Sequence, residues 1–439
     1  MPRLLLINSD RLDVLGVLAR VGDVQLSVIA KHRHAPRYAG LGRIEAVEAV
    51  RDVADVSAVL AAALRLRRAG GAFDGILAPL ERGLIAAGYL RSYLGVPGPG
   101  LETSLAFAHK IVMKTRLAAA GVALAPFAAP ASLAGVPAAM AAAGIDWPVV
   151  VKPAVSAGTQ HTYRLAGPDE LGILVGSDRG RALDALTVPL MVEAAVPMTA
   201  ELHCDGVVRD GRTVTLSTSR YFRPLLTDLG GLIGSRTLAA GDPLASALAD
   251  LHERTIGALG LRAGVTHLEA YALASGELVF GEVTIRPGGG GVARVVRERH
   301  GVDLWAELVR ASIPGLDVPA APPPASPPAP VHGWVGLPAR NGRVLRITPA
   351  ADLLAVDGVA DVDMIYGVGD LIADKPSSVF NAGVAYLRAP TPAAADAAVD
   401  ELRSRYEIDI SPAGPVSTSP AAGNPAPNRV PWEASGCVS

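Results

Sequence analysis
The sequence predicts an α/β protein, with strands and helices more segregated, in α+β fashion, through its middle. Three observations carry that reading. Apolar strand-like runs alternate with amphipathic helical stretches over residues 1–100. Two hairpin signals, Asp210-Gly211 and Ser275-Gly276, fall inside the segment that follows. A proline-rich break then sets off a last stretch of short strands and one helix. With 439 residues, 50% of them hydrophobic, the chain exceeds one ordinary domain, and two or three are expected.

The elements follow in order. "RLLLIN" and "VQLSVIA" read as strands, "DVSAVLAAALRLRRAG" as an amphipathic helix and "FDGILAP" as a further strand, which together make an N-terminal α/β domain over 1–100. The helix after "FDGILAP" stops at Gly95 and Pro97. A second domain spans 101–315, with a lid subdomain at about 121–196. It opens with "SLAFAHKIVMKTRLAAAG", where Lys110 and Lys114 stand four apart and share a helix face. "WPVVVKPAVSAGTQHTYRL", "VPLMVEAAV" and "AELHCDGVVRDGRTVTLSTSRYF" read as strands, and "PLASALADLHERTIGALG" as a helix. A linker over 316–332 leads to a C-terminal α/β subdomain at 333–412, and the last segment, 413–439, has too few large apolar residues to fold and is expected to be disordered.

Composition narrows the partners. Forty basic against 42 acidic residues give a formal charge of −2, so neither nucleic acid nor an anionic membrane is expected. The two cysteines, Cys204 and Cys437, are too few for a disulfide framework, and a reducing cytoplasm is the default location. The short apolar run from Leu4 lacks the length of a secretory signal, and no uninterrupted apolar stretch of about 18 residues is present.

The chemistry concentrates in "THLEAYALASGELVFGEVTIRPGGGG". Strand alternation puts Glu282, Thr284 and Arg286 on one face, together with Leu278 and Phe280. A two-residue loop at Ser275-Gly276 sets Glu269 opposite Glu282 and His267 opposite Thr284. Two carboxylates with Cβ atoms about 5 Å apart destabilise a sheet unless a cation lies between them. A hard divalent ion answers that need, and Mg²⁺ usually arrives with substrate phosphates. Lys152, after three valines, is a charge on an otherwise apolar strand with no local partner, a place an anionic phosphate would fill.

Taken in order, "HKIVMKTRLAAAGV", "VVVKP", "MVEAAVPMTAEL", "HLEAY" and "GEVTIRPGGGG" resemble the ATP-grasp superfamily over most of the chain. The resemblance implies an ATP-grasp fold behind a Rossmann-like N-terminal domain. It also implies ATP-binding roles for Lys110, Lys152, Glu193, Val196 and Glu201, and Mg²⁺ or Mn²⁺ on Glu269, Glu282 and Thr284. Arg286, with Gly288 and Gly289, would contact the transferred phosphoryl group. Within the superfamily the chain looks most like the carboxylate–amine, or L-amino-acid, ligases, which implies an amide bond formed through an acyl phosphate and a homodimeric enzyme. The alternatives are a purine-pathway or carboxylase-type relative that activates formate or bicarbonate, and a nucleotide-binding module without catalysis. Arg220, Arg223 and His267 are the expected contacts to small carboxylate and amine substrates. The chain departs from the family pattern at Thr284, where asparagine is usual, and at His109, where an acidic residue is common. Gly158 is the sole glycine in "AVSAGTQHTY", and Glu193 and Glu201 are eight apart.

Overall fold
The structure, a computed structural model, describes residues 1–8, 13–22, 24–38, 41–156, 158–226, 230–319, 330–372 and 381–411. The anticipated tail at 413–439 and most of the anticipated linker lie outside the described residues. Two compact units divide the chain: Met1–Thr218 with Pro243–Pro287 and Asp303–Ala321, and Ser219–Asp242 with Gly288–Val302 and Pro322–Ser439. The chain passes between them several times, where the sequence suggested one crossing at the linker.

The first unit begins with a parallel sheet: β1 (Arg3–Ile7), α1 (Asp13–Arg20), β2 (Gln25–Lys31), β3 (Ile44–Val50), α2 (Val56–Gly70) and β4 (Gly75–Leu77), with strand order β3-β2-β1-β4. β3, "IEAVEAV", with two glutamates, is a strand beyond those the sequence predicts. Asp55 caps α2 by accepting from the Ala58 N–H at 3.0 Å. Helix α3 (Glu81–Leu94) closes on Gly95 at φ +69, a left-handed position that suits glycine. Helices α4 (Leu101–Ala106) and α5 (Lys110–Ala119) follow.

A four-stranded sheet comes next, in order β5-β8-β6-β7, from β5 (Phe127–Ala128), α6 (Val136–Ala143), β6 (Val149–Pro153), β7 (Tyr163–Leu165), α7 (Pro168–Gly176), α8 (Asp178–Asp184) and β8 (Leu190–Ala194). It has its own core of Leu133, Val149, Val151, Leu183 and Val192. The chain continues through β9 (Ala200–Arg209) and β10 (Arg212–Tyr221) and visits the second unit for β11 (Gly234–Thr237). It returns with α9 (Pro243–Leu259), β12 (Gly264–Ala272) and β13 (Leu278–Thr284). In the first unit the strands lie in order β13-β12-β9-β10, and one face packs Leu202, Cys204, Leu268 and Ala270 against Leu248, Leu251 and Ile256 of α9.

In the second unit α10 (Val292–His300) follows the glycine run; α11 (Leu304–Ser312) belongs again to the first. The second unit then adds β14 (Val331–Pro338), β15 (Gly342–Ile347), α12 (Ala350–Leu354), β16 (Val359–Met364), β17 (Leu371–Ile372), β18 (Asn381–Ala389), α13 (Pro392–Arg405) and β19 (Ile408–Ser411). Its core gathers Val335, Leu337, Leu387, Val399 and Leu402.

The β12–β13 hairpin corrects one expectation. Its strands pair Ala272 with Leu278 and Tyr271 with Val279, one step out of the register a two-residue loop would give. A bulge at Gly281 then restores the step, so Glu269 does face Glu282 and His267 does face Thr284. The bulge also changes side-chain parity. Leu278 and Phe280 pair with Ala272 and Ala270 on the core face, so they do not share a face with Glu282 and Thr284. Glycine suits the bulge, since a Cβ at Gly281 would lie a tight 3.0 Å from the Glu269 carbonyl oxygen and 3.2 Å from the Tyr271 ring.

Candidate active site
Antiparallel register places a polar set on the other face of β13, β12 and β9. Glu282 and Thr284 lie opposite Glu269 and His267, which lie in turn opposite His203 and Asp205, while Tyr271 faces Glu201. Glu201, His203, Asp205, His267 and Thr284 are all buried, and Glu269 and Glu282 are partly so, with side chains 23% and 25% exposed. The Thr284 hydroxyl oxygen is buried and has no hydrogen-bond partner among the described residues. An orphaned hydroxyl beside two facing carboxylates is a donor set suited to a hard cation, and it fits the implied Mg²⁺.

Helix α5 brings the lysines to this face. His109 caps it, its Nδ1 accepting from the Val112 N–H at 3.4 Å. Burial, with the adjacent Lys110 charge, lowers the His109 pKa, which keeps the ring neutral and its nitrogen an acceptor. Histidine thus serves here as a cap in a place where the family tends to carry an acid. The face that Lys110 and Lys114 share is buried: they are 4% and 1% exposed. Lys110 Nζ lies 2.9 Å from Glu282 and 3.9 Å from Glu81, and donates to the Ser156 carbonyl at 2.9 Å. Burial disfavours its charge, but Glu282 and Glu81 outweigh that and raise its pKa.

Glu193 on β8 is shared by two lysines, Lys152 at 2.5 Å and Lys114 at 2.9 Å. Burial pushes its carboxyl up, yet the two ammonium groups hold it down at about 2. Burial wins at Lys114, whose pKa is lowered: desolvation and the like charge of Lys152 outweigh the attraction of Glu193 and Glu282. Lys114 also lies 5.7 Å from the centroid of the Phe280 ring. Val196 follows β8 half-buried, its carbonyl accepting from Met198.

Arg286 donates to Glu81 at 3.0 Å and to the carbonyl of Pro287 at 2.9 Å. Glu81, the first residue of α3, is buried; desolvation, then the charge of Glu282, push its carboxyl up to about 7 despite Lys110 and Arg286. His267 has both ring nitrogens turned to protein carboxylates, Nδ1 to Asp205 at 2.9 Å and Nε2 to Glu269 at 3.5 Å. Burial opposes its charge, but Asp205 first and Glu269 second raise its pKa to about 10.

The first unit therefore brings together Lys110, Lys152, Glu193, Glu201, His267, Glu269, Glu282, Thr284 and Arg286. Gly288 and Gly289 belong to the second unit, as do Arg220 and Arg223. Arg220 is half-buried within β10, opposite Arg236 on β11, and Arg223 is exposed. Within the second unit, Gly290 and Gly291 lie under the Trp334 ring, which a Cβ on either would meet. Ring packing therefore accounts for two of the four glycines. Sequence reasoning did not single out Glu81, His203 and Asp205 as site residues. Asp205 and His203 had a legible signal, since both alternate in step with Glu201 along one strand.

Facing carboxylates on a hairpin, met by one lysine from α5 and flanked by a second from the separate four-stranded sheet, are the arrangement of an ATP-grasp enzyme. Comparison with known proteins narrows the class. Residues 336–411 match the family described as L-amino acid ligase C-terminal domain 2. The chain is 31% identical over 392 residues to the L-arginine-specific L-amino acid ligase of Bacillus subtilis, covering 87% of this chain and 91% of that one. It therefore belongs to the L-amino acid ligase family, ATP-dependent enzymes that join amino acids through a peptide bond. The crystal structure of an L-amino acid ligase from Bacillus licheniformis superposes with a TM-score of 0.73 at 18% identity, covering 94% and 99% of the two chains. The carboxyaminoimidazole ribonucleotide synthase of Aspergillus clavatus, solved with ATP, gives a TM-score of 0.65 at 15% identity, covering 92% and 99%, and shares the fold. Among the described residues, no helix is long and apolar enough to cross a membrane.

Proposed function
We propose that this protein activates the carboxylate of one amino acid with ATP and joins it to the amino group of a second, releasing ADP and phosphate. One observation carries the reading: Glu269 and Glu282 face each other beside an unpartnered Thr284 hydroxyl, with Lys110 on one of them and Arg286 one residue past Ile285 on the same strand end. That is a site for a metal-bound polyphosphate and for a phosphoryl group in transit.

In this reading a carboxylate oxygen of the first substrate attacks the γ-phosphorus and ADP leaves. The amine nitrogen of the second then attacks the acyl carbon, phosphate leaves, and the nitrogen gives up its proton. The protein needs little covalent chemistry for this; it must place the reactants and neutralise charge. Lys110 and Lys152 supply point charges to the phosphates, and Arg286 a planar fork to the transferred phosphoryl group. Lys110 now rests on Glu282 and Arg286 on Glu81, so engaging phosphate means exchanging one anionic partner for another. Glu193 holds Lys152 in place, while the backbone around Val196 takes adenine and Glu201 the ribose. Glu269, Glu282 and Thr284 would hold Mg²⁺, which neutralises phosphate charge when bound.

A panel of amino acids, alone and in pairs, tests the proposal when scored for dipeptide, ADP, AMP, phosphate and pyrophosphate. Dipeptide formed with one ADP and one phosphate is the expected result. Stoichiometric AMP and pyrophosphate would rule the acyl-phosphate route out.

A further inference from the structure
The polar face continues onto β9 in an arrangement that the reaction above leaves unused. Asp205 is 1% exposed and divides its carboxylate between two imidazoles: Oδ2 lies 2.8 Å from His203 Nδ1, and Oδ1 lies 2.9 Å from His267 Nδ1. An ionised carboxylate only accepts, so each Nδ1 carries a hydrogen. With Nδ1 fixed on Asp205, the His267 ring turns its far edge to β12's next inward carboxylate, where Nε2 lies 3.5 Å from Glu269 Oε1. Register makes this a continuous run across two strands, since Asp205 faces His267 and Glu269 follows two residues on along the same face.

The opposite face of the same strands is filled by Leu202, Cys204 and Leu268. A buried carboxylate with two imidazoles is no better for stability than such apolar packing, because desolvation offsets the pairing. Its use lies in orientation, as with the outer partners that aim ligands at metals. The geometry points to Asp205 and His267 as positioning residues for Glu269: Asp205 sets the plane of the ring, and the ring holds one oxygen of Glu269 so that the other faces Glu282 and Thr284. The inference rests on the reading of Glu269 as a metal carboxylate.

Two substitutions at one position separate the contacts. In His267→Asn the amide nitrogen replaces Nδ1, keeping Asp205 and losing Glu269. In His267→Gln it replaces Nε2 and keeps Glu269. Mn²⁺ binding to the ADP-loaded protein is followed by electron paramagnetic resonance, with circular dichroism confirming the fold. His267→Asn is expected to weaken Mn²⁺ binding by about ten- to a hundred-fold, the range typical of outer partners. His267→Gln is expected to recover most of that loss, and Asp205→Asn to fall between. Glu269→Gln is the reference. If Glu269→Gln binds Mn²⁺ like the parent, the metal reading itself fails and the inference with it. If Glu269→Gln weakens binding while folded His267→Asn does not, the metal reading stands and the positioning role is overturned. Should His267→Asn not fold, parent-like binding by Asp205→Asn overturns it.

Discussion

At the scale of the residue, Glu193 shows a side chain whose worth is read in stability. Its carboxyl sits at about 2 in the folded protein against an ordinary 4.5. A folded pKa below the unfolded one means stabilisation that is complete above about pH 4.5 and lost as pH falls from there toward 2. In Glu193→Gln that acid-limb dependence should flatten, and Lys114 and Lys152 are left buried without their shared carboxylate. The cost at pH 7 is expected to be on the order of 3–5 kcal/mol, read from urea unfolding. An uncompensated buried lysine has its folded pKa depressed, so the variant should regain stability as pH rises into the alkaline range; a variant as stable as the parent at pH 7 would show that the pair does not matter. Thr284 makes a second prediction. Because its hydroxyl is buried and unpartnered, Thr284→Val should stabilise the metal-free protein by about 1 kcal/mol and raise the Mg²⁺ concentration for half-maximal rate. Thr284→Asn, with a longer oxygen donor, should lower that concentration. Identical rate curves against free Mg²⁺ for the three proteins would place residue 284 outside the coordination shell.

At the scale of the element, the hairpin explains both what the sequence made legible and what it hid. The facing of Glu269 and Glu282 is legible from a turn signal and strand periodicity, but the register that produces it is not the one a two-residue loop gives. The turn closes with Leu273 N–H bonded to the Glu277 carbonyl, and Gly281 supplies the compensating extra residue. A bulge leaves no periodic trace beyond a glycine, so the parity of Leu278 and Phe280 was not legible. Gly281→Val should therefore act on register: its side chain meets the Glu269 carbonyl and Tyr271, and the two carboxylates lose their alignment. The expected outcome is a loss of ligase activity of at least tenfold and weaker Mn²⁺ binding, in a protein whose thermal midpoint falls by only a few degrees. Activity close to the parent's would mean that the bulge does not set the site.

At the scale of the molecule, the chain forms two units with separate cores. The lysine, carboxylate and arginine set belongs to the first. A non-hydrolysable ATP analogue with Mg²⁺ should therefore protect the first unit selectively. At a hundred times its dissociation constant it adds about 2.7 kcal/mol to whatever binds it. Hydrogen exchange should slow in α5, β8, β12 and β13 and change least in β15 and β19. Equal protection across both units would argue against a site built within the first.

The amino-acid sequence by itself determined the local grammar: which stretches alternate with period two or recur every three to four residues, where Asp55 and Gly95 bound their helices, and the order Lys110, Lys152, Glu193, Glu269, Glu282, Arg286 that marks the superfamily. These follow from neighbours along the chain. Tertiary structure alone decided who pairs with whom. Glu81 meets Arg286, Lys110 meets Glu282, and Glu193 serves two lysines from α5 and β6. Those choices were hidden because a buried charge takes whichever opposite charge the fold brings within about 4 Å, and the Coulomb energy that decides between partners falls with distances that only the packed chain fixes.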